Sequence, residues 1–226
     1  SFQCGPQIDA YQGIGCNGEK QMIISRKHQF IYVAVGKTAT SSVEQAIGHL
    51  NELKVPKHTH LSQLGDFCDI ETDKYFKFCF TRNPWERVVS LYNQWRKPNS
   101  LDDDERSFLH ALSRENDFSE FIKIVSRKRP EALSQRTTTN YITNRNGEVD
   151  INFVGRFESL QTDFDSVCER LSLEKQKLPL RNVAKKDLVG RVLGKQKRYA
   201  EYYDNEAREI VADVFKADID LFNYKF

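Results

Sequence analysis

The chain has 226 residues, of which 39% are hydrophobic, 12% aromatic and 29% charged, a composition typical of a soluble globular protein. Its formal net charge of +2 gives no support for a nucleic-acid-binding protein, and no apolar run approaches the roughly 18 residues of a membrane span. The length favours one domain over residues 1–226, in which residues 1–27 form an N-terminal extension of unclear role and do not read as a signal peptide.

Three runs rich in apolar, β-branched and aromatic residues predict strands at 30–35, 75–80 and 152–157. Apolar residues at helical spacing predict helices, which cover 41–53, a stretch that begins at Pro84 and continues to Trp95, 105–134 with breaks near Asn116 and Pro130, 158–171 and 199–215. A Lys- and Arg-rich loop spans 174–198, and an apolar tail covers 221–226. Strands that alternate with helices predict an α/β fold with a mostly parallel sheet.

A first polar turn follows the strand predicted at 30–35 and reads Gly36-Lys37-Thr38-Ala39-Thr40-Ser41-Ser42. Backbone N–H groups at a helix start, neighbouring hydroxyls and a lysine are the groups that bind a phosphate. Gly-Lys-Thr also ends the Walker A motif, but that motif needs a glycine where this chain has Ile31, inside the strand. We find no convincing Walker B strand either. A nucleotide kinase or nucleoside triphosphatase is therefore the less favoured alternative.

A second polar turn follows the strand predicted at 75–80, and Arg82, Asn83 and Pro84 lead from it into a helix. Arg82 offers a planar fork to a dianionic phosphate. Ser90 lies two helical turns further on, so its hydroxyl can face the same pocket. The pattern leaves open whether Arg87 is an ion-pair partner or a ligand.

These two turns resemble the phosphate-binding motifs of sulfotransferases of the carbohydrate type, which include heparan-sulfate 2-O-, chondroitin-type and bacterial members. The first is similar to their 5′-phosphosulfate loop, with Gly36 in place of a proline and Ala39 in place of a glycine, and the second to their 3′-phosphate motif. Similarity continues through residues 152–171, 178–182, 202–204 and 219–224, so that it covers roughly 28–226. The resemblance implies a three-layer, P-loop-NTPase-like fold.

The resemblance also implies that 3′-phosphoadenosine-5′-phosphosulfate is the donor, without a metal ion. Lys37 would then face the bridging oxygen of the leaving nucleotide as a catalytic group. The residues expected to bind the donor are Lys37, Thr38, Ala39, Thr40, Ser41 and Ser42 at the 5′ end, Arg82 and Ser90 at the 3′ end, and Lys186, Lys197 and Arg198 in the basic loop. A solvated charge run is the alternative for that loop.

Transfer to a hydroxyl group needs a base, and histidine suits this role near neutral pH. His58 and His60, between the two turns, resemble a His-x-His segment that supplies the base in the 2-O-sulfotransferases. Solvent-exposed loop histidines or a chance metal pair are the alternatives.

We expect Arg136 and Thr137 to face the acceptor, which is a carbohydrate or another hydroxylated metabolite. A phosphoadenosine-binding module without catalysis is a further hypothesis, and the oligomeric state is open.

Five cysteines give no metal-ligand spacing, and they are Cys4, Cys16, Cys68, Cys79 and Cys168. A disulfide between Cys4 and Cys16 is open, whereas Cys79 and Cys168 are expected in the core. The chain has no Asn-x-Ser/Thr sequon, which favours the cytoplasm. The alternative is the Golgi lumen, if a membrane anchor has been removed.

Overall fold

A computed structural model of the chain describes residues 21–97, 104–179 and 198–226. The predictions made for Cys4, Cys16, Lys186 and Lys197 lie outside these residues.

Four strands form one mixed sheet in the order β1-β2-β3-β4. They are β1 (Ile23–Ser25), β2 (Phe30–Val33), β3 (Phe76–Thr81) and β4 (Phe153–Arg156). β1 runs antiparallel to β2, whereas β2, β3 and β4 are parallel, with Val33 opposite Cys79 and Thr81 opposite Arg156. The carboxyl ends of β2 and β3 therefore reach the same edge of the sheet, which is where open α/β sheets bind ligands.

Nine α-helices connect or follow the strands within the described residues. They are α1 (Thr40–Ile47), α2 (Pro84–Trp95), α3 (Asp104–Glu115), α4 (Phe118–Lys128), α5 (Glu131–Ser134), α6 (Thr138–Ile142), α7 (Leu160–Arg170), α8 (Asn205–Val214) and α9 (Lys216–Phe222). Short 3-10 helices cover Gly48–Leu50, Leu61–Asp66, Thr72–Lys74, Phe157–Ser159 and Tyr199–Tyr202.

Alternate residues of β2 pack into two hydrophobic cores on opposite faces of the sheet, as the two-residue period of a strand requires. Ile31 and Val33 belong to one core with residues of α2, α4 and α8. Phe30 and Tyr32 belong to the other, with residues of α1 and α7. The sheet is thus the middle of three layers, with both faces covered as parallel strands require. This confirms the predicted α/β fold with its mostly parallel sheet.

Several predicted bounds differ from the structure for local reasons. The helix predicted at 41–53 ends at Ile47 and is followed by a 3-10 turn over Gly48–Leu50. Asn51 is then extended, and its Oδ1 accepts the N–H of Ile24, 2.9 Å away. The helix predicted at 199–215 is a 3-10 turn followed by α8, since the Asp204 carboxylate caps α8 by accepting the N–H of Ala207. The breaks near Asn116 and Pro130 are present as predicted.

Three strands or helices were not predicted, namely β1, α6 and α9. All are short, with three residues in β1, five in α6 and seven in α9, so their apolar positions give little periodic signal. Among the described residues, no helix combines the length and the apolar character that a membrane crossing needs.

Candidate functional site

The first polar turn connects β2 to α1 through two residues in the left-handed region, Lys37 at φ 68° and Ala39 at φ 67°. The Thr38 side chain is buried and donates to the carbonyl of Val35 at 2.8 Å, which fixes the turn from within. α1 then begins at Thr40. Successive N–H groups in such a turn form a concave anion-binding surface, and the first N–H groups of a helix have no intrahelical partner. The left-handed residues and the helix start are features that a phosphate-binding turn would have, and the role of this turn stays a prediction.

Lys37 is half-buried at this turn and lies in a cationic environment. Desolvation, together with the positive charges of Arg82 and Lys97, lowers the pKa of Lys37 to about 8. An anion placed here would reverse the electrostatic part of that shift. The lysine is therefore poised to gain from a bound negative charge.

Arg82 directly follows β3 in the second turn, and its side chain reaches the first turn. Its Nη1 donates to the Lys37 carbonyl at 3.4 Å, and its Nη2 pairs with Glu86 Oε1 at 2.8 Å. The guanidinium carbon is 4.2 Å from the centre of the Phe157 ring. The Arg82 Nε atom is buried and has no hydrogen-bond partner among the described residues. A guanidinium oriented on three sides, with an unused donor, can accept a further anionic ligand.

Ser90 is half-buried in α2, two helical turns beyond Arg82, as predicted. α2 itself begins at Pro84, and the Asn83 side chain caps it by accepting the N–H of Glu86 at 3.2 Å. The helix therefore extends from the second turn with Ser90 on its solvent-accessible side.

Arg87 is a structural residue, which decides between the two alternatives that the sequence left open. It is 1% exposed, and its Nε donates to the Gly36 carbonyl at 2.9 Å. The guanidinium also bonds Thr138 Oγ1 and the Arg136 carbonyl and lies 3.6 Å from the buried carboxylate of Asp218. Arg87 therefore fastens the first turn to the helix that follows the second.

Asp218 was not singled out from the sequence, although it supports the same region. Its carboxylate accepts the N–H groups of Thr138 at 2.6 Å and Thr139 at 2.8 Å, at the start of α6. A carboxylate at a helix start compensates both the unpaired N–H groups and the helix dipole. A sequence pattern does not reveal this contact, because the partners are 80 residues apart.

His58 lies in the loop between α1 and β3, beside the first turn. Its Nδ1 is 2.8 Å from the Ala34 carbonyl, which can only accept, so Nδ1 carries the proton and Nε2 has the lone pair. The residue is exposed, yet neighbouring protein atoms partly desolvate the ring and lower its pKa. A neutral imidazole with a free Nε2 is the form that a general base needs.

His60 packs its ring on Tyr141, with ring centres 4.4 Å apart, and desolvation lowers its pKa as well. The rings of Tyr141 and His58 also meet in a T-shaped arrangement, with 6.4 Å between ring centres. The two histidines thus share one aromatic support. Among the described residues, no group of three or more His, Cys, Asp or Glu side chains could hold a metal ion.

The remaining predicted site residues fall into two groups. Three hydroxyls are occupied by the fold: Thr38 bonds Val35, Ser42 Oγ donates to the Pro179 carbonyl at 2.6 Å, and the buried Thr137 caps α6 by accepting the N–H of Asn140. Arg136 is half-buried, with its guanidinium 5.9 Å from the centre of the Trp95 ring, whereas Arg198 is exposed. The hydroxyls of Thr38 and Ser42 thus donate to carbonyl groups of the fold, which does not support their predicted contact with the donor.

Comparison with known proteins gives a consistent result. A family model described as "Sulfotransferase family" matches residues 20–225. Carbohydrate sulfotransferase 14 of Mus musculus is 25% identical over 175 residues, which make up 66% of this chain and 46% of that protein. Its counterpart in Homo sapiens has the same identity and coverage. The chain therefore spans about half the length of the curated relatives it matches.

An uncharacterized protein of Archaeoglobus fulgidus is 33% identical over 104 residues, which make up 46% of this chain and 73% of that protein. No solved structure matches the chain.

Proposed function

The chain belongs to the sulfotransferase family, and on this premise we propose that it transfers a sulfuryl group from 3′-phosphoadenosine-5′-phosphosulfate to a hydroxyl group of a carbohydrate or another hydroxylated metabolite. The observation that carries the proposal is that the two polar turns lie at one edge of the sheet and are joined by the contact between Arg82 and the Lys37 carbonyl. Such a pair suits a nucleotide that carries phosphate on both the 3′ and the 5′ oxygen of its ribose.

The first turn is assigned to the 5′ end of the donor. The turn contains the left-handed residues Lys37 and Ala39, and α1 begins directly after it with Thr40 and Ser41. The donor supplies a sulfuryl group whose in-line displacement leaves negative charge on the bridging oxygen. Lys37 is the side chain proposed to neutralise that charge as it develops.

The second turn is assigned to the 3′-phosphate. Arg82 has its guanidinium held by Glu86 and by the Phe157 ring, with Nε unused. Ser90 would add a hydroxyl from α2. The difference between an oriented guanidinium and a flexible one matters, because a pre-ordered donor loses less entropy on binding.

The base is assigned to His58, with His60 as its neighbour on Tyr141. The acceptor oxygen attacks sulfur as the bond between sulfur and the bridging oxygen breaks, and His58 Nε2 takes the hydroxyl proton. The Ala34 carbonyl holds the opposite nitrogen protonated, so the accepting nitrogen is fixed. Arg136 and Thr137 are proposed to lie on the acceptor side, although the Thr137 hydroxyl already caps α6.

Calorimetry with adenosine 3′,5′-bisphosphate, and with ATP plus Mg²⁺, tests the donor assignment. We expect the bisphosphate to bind without metal, and replacing Arg82 by Met to weaken it about 10- to 100-fold, since a charge-assisted hydrogen bond is lost. Lys74→Met is the control, because Lys74 is an exposed lysine paired only with Glu71 at 2.7 Å among the contacts described. Preference for ATP with Mg²⁺ would instead identify a kinase or nucleoside triphosphatase.

Turnover with a labelled donor and a panel of hydroxylated acceptors tests catalysis itself. Lys37→Ala is expected to lower kcat about 100- to 1000-fold, the usual effect of removing one group that stabilises developing charge. His58→Ala should also slow transfer while the bisphosphate still binds. If the bisphosphate binds but no acceptor is sulfated, the chain is a phosphoadenosine-binding module.

A further inference from the structure

The turn that carries Arg82 is held from outside by residues that neither bind an anion nor belong to its own helix. The Asn83 backbone N–H donates to Glu158 Oε1 at 2.8 Å. The other oxygen of the same carboxylate accepts from the Tyr224 hydroxyl at 3.2 Å. One carboxylate therefore connects the turn after β3, the segment after β4 and the segment after α9.

A second contact fastens the same residue. The Asn83 side chain donates to the Lys225 carbonyl at 2.9 Å, while its oxygen caps α2 by accepting from Glu86. Phe226 packs on Trp85, with ring centres 5.5 Å apart.

Glu158 also follows directly after Phe157, the ring on which the Arg82 guanidinium lies. The same short segment thus sets both the side chain of Arg82 and the backbone of the next residue. Tyr224 is 8% exposed, and Arg156 at the end of β4 lies over its ring at 4.9 Å. A movement of Glu158 or Tyr224 would consequently change the direction of the Arg82 side chain.

We propose that Glu158 and Tyr224 are positioning residues that hold Arg82 in the orientation that receives the 3′-phosphate of the donor. This inference rests on the proposed function, because it deepens the assignment of the second turn. Glu158 itself carries a negative charge and would repel a phosphate, so its contribution to binding comes through Asn83 and not through contact with the ligand.

Removing the Glu158 carboxylate can either strengthen or weaken binding of the bisphosphate. The direction of that change separates a positioning role from a simple charge effect. Loss of the Glu158 carboxylate removes a negative charge near the phosphate, which alone would strengthen binding. Loss of the support for Asn83 would weaken it. We expect the second effect to be larger, because a hydrogen bond between a carboxylate and a backbone N–H is stronger than a screened interaction near the surface.

The test uses Glu158→Ala and Tyr224→Phe, with Glu52→Ala as the matched control. Glu52 Oε1 likewise accepts a backbone N–H, from Lys27 at 3.1 Å, and a hydroxyl, from Ser25 at 2.9 Å. That turn joins β1 to β2 at the opposite edge of the sheet. The two glutamates therefore make the same kind of contact far apart.

Binding is measured for adenosine 3′,5′-bisphosphate and for AMP, which lacks the 3′-phosphate. Glu158→Ala should weaken the bisphosphate about 5- to 30-fold, and Tyr224→Phe about 2- to 5-fold, while AMP changes less than about twofold. Glu52→Ala should change neither ligand. Hydrogen exchange of the Asn83 amide should be faster in Glu158→Ala, a readout that needs no ligand.

Equal weakening of both ligands would overturn the proposal, because it would indicate general damage to the fold. Tighter binding of the bisphosphate by Glu158→Ala would overturn it too, since Glu158 would then act as a local charge. Failure of the proposed function looks different: the unaltered protein would prefer ATP with Mg²⁺ or would not distinguish the bisphosphate from AMP.

Discussion

Donor affinity should depend on pH through Lys37. Desolvation and the nearby cations Arg82 and Lys97 lower the pKa of Lys37 to about 8 in the free protein. A bound polyanion favours the ammonium form and raises that pKa again. Affinity is therefore fully present below pH 8 and is lost as the pH rises above it, because a proton must then be taken up for binding.

The size of the effect follows from this titration. With a pKa of about 8, the dissociation constant of adenosine 3′,5′-bisphosphate should rise about 10-fold from pH 7 to pH 9. At pH 8, binding should take up about half a proton per molecule, because half of the Lys37 side chains are neutral before binding. Arginine side chains keep their charge throughout this range.

Isothermal titration calorimetry measures both quantities, with proton uptake obtained from buffers of different ionisation enthalpy. Lys37→Arg is the control, since a guanidinium stays charged and should flatten the profile between pH 7 and pH 9. An unaltered protein with a flat profile, or a Lys37→Arg variant with the same slope, would refute the assignment of the titration to Lys37.

Two further predictions concern the stability of the turns. Ala39→Gly should raise the free energy of unfolding by about 0.5–1 kcal/mol, because Ala39 has φ 67°, a conformation that costs glycine less than any other residue. Urea denaturation measures this change. Ala46→Gly, inside α1, is the control and should lower the free energy of unfolding. Arg87→Met should lower the free energy of unfolding by about 3–5 kcal/mol, since it leaves the buried Asp218 carboxylate without its cation. A loss below about 1 kcal/mol, measured by urea denaturation, would contradict the structural role of Arg87.

The parts of the site that depend on neighbouring residues could be predicted from the sequence. The apolar run that ends at Val33 and the polar turn after it are contiguous, as are the strand that ends at Thr81 and the helix that starts at Pro84. Strand ends and helix starts have local signals, so both turns were located. The roles assigned to Lys37 and Arg82 stay predictions, now with a geometry that can be tested.

The parts that depend on distant residues could not be predicted. Whether Arg87 was a ligand or an ion-pair partner depended on Asp218, a residue of α9 that is distant from Arg87 in the sequence. The support of Asn83 by Glu158 joins residues 75 positions apart, and no periodic pattern records such a contact. The hydroxyls of Thr38 and Ser42 gave the same signal as a phosphate ligand would, although the fold uses them for its own carbonyl groups.

Gly36 stands where related loops have a proline, and the structure shows what replaces the rigidity of that ring. A Cβ atom at Gly36 would meet nothing within 4 Å, so space does not require glycine there. The Gly36 carbonyl instead accepts a hydrogen bond from Arg87, a residue of α2, the helix that follows the second turn. A residue of α2 thus stabilises the conformation of the first turn. A fluctuation that lifts α2 from the sheet would release both turns together, which makes them one unit of local unfolding that a ligand spanning both would keep closed.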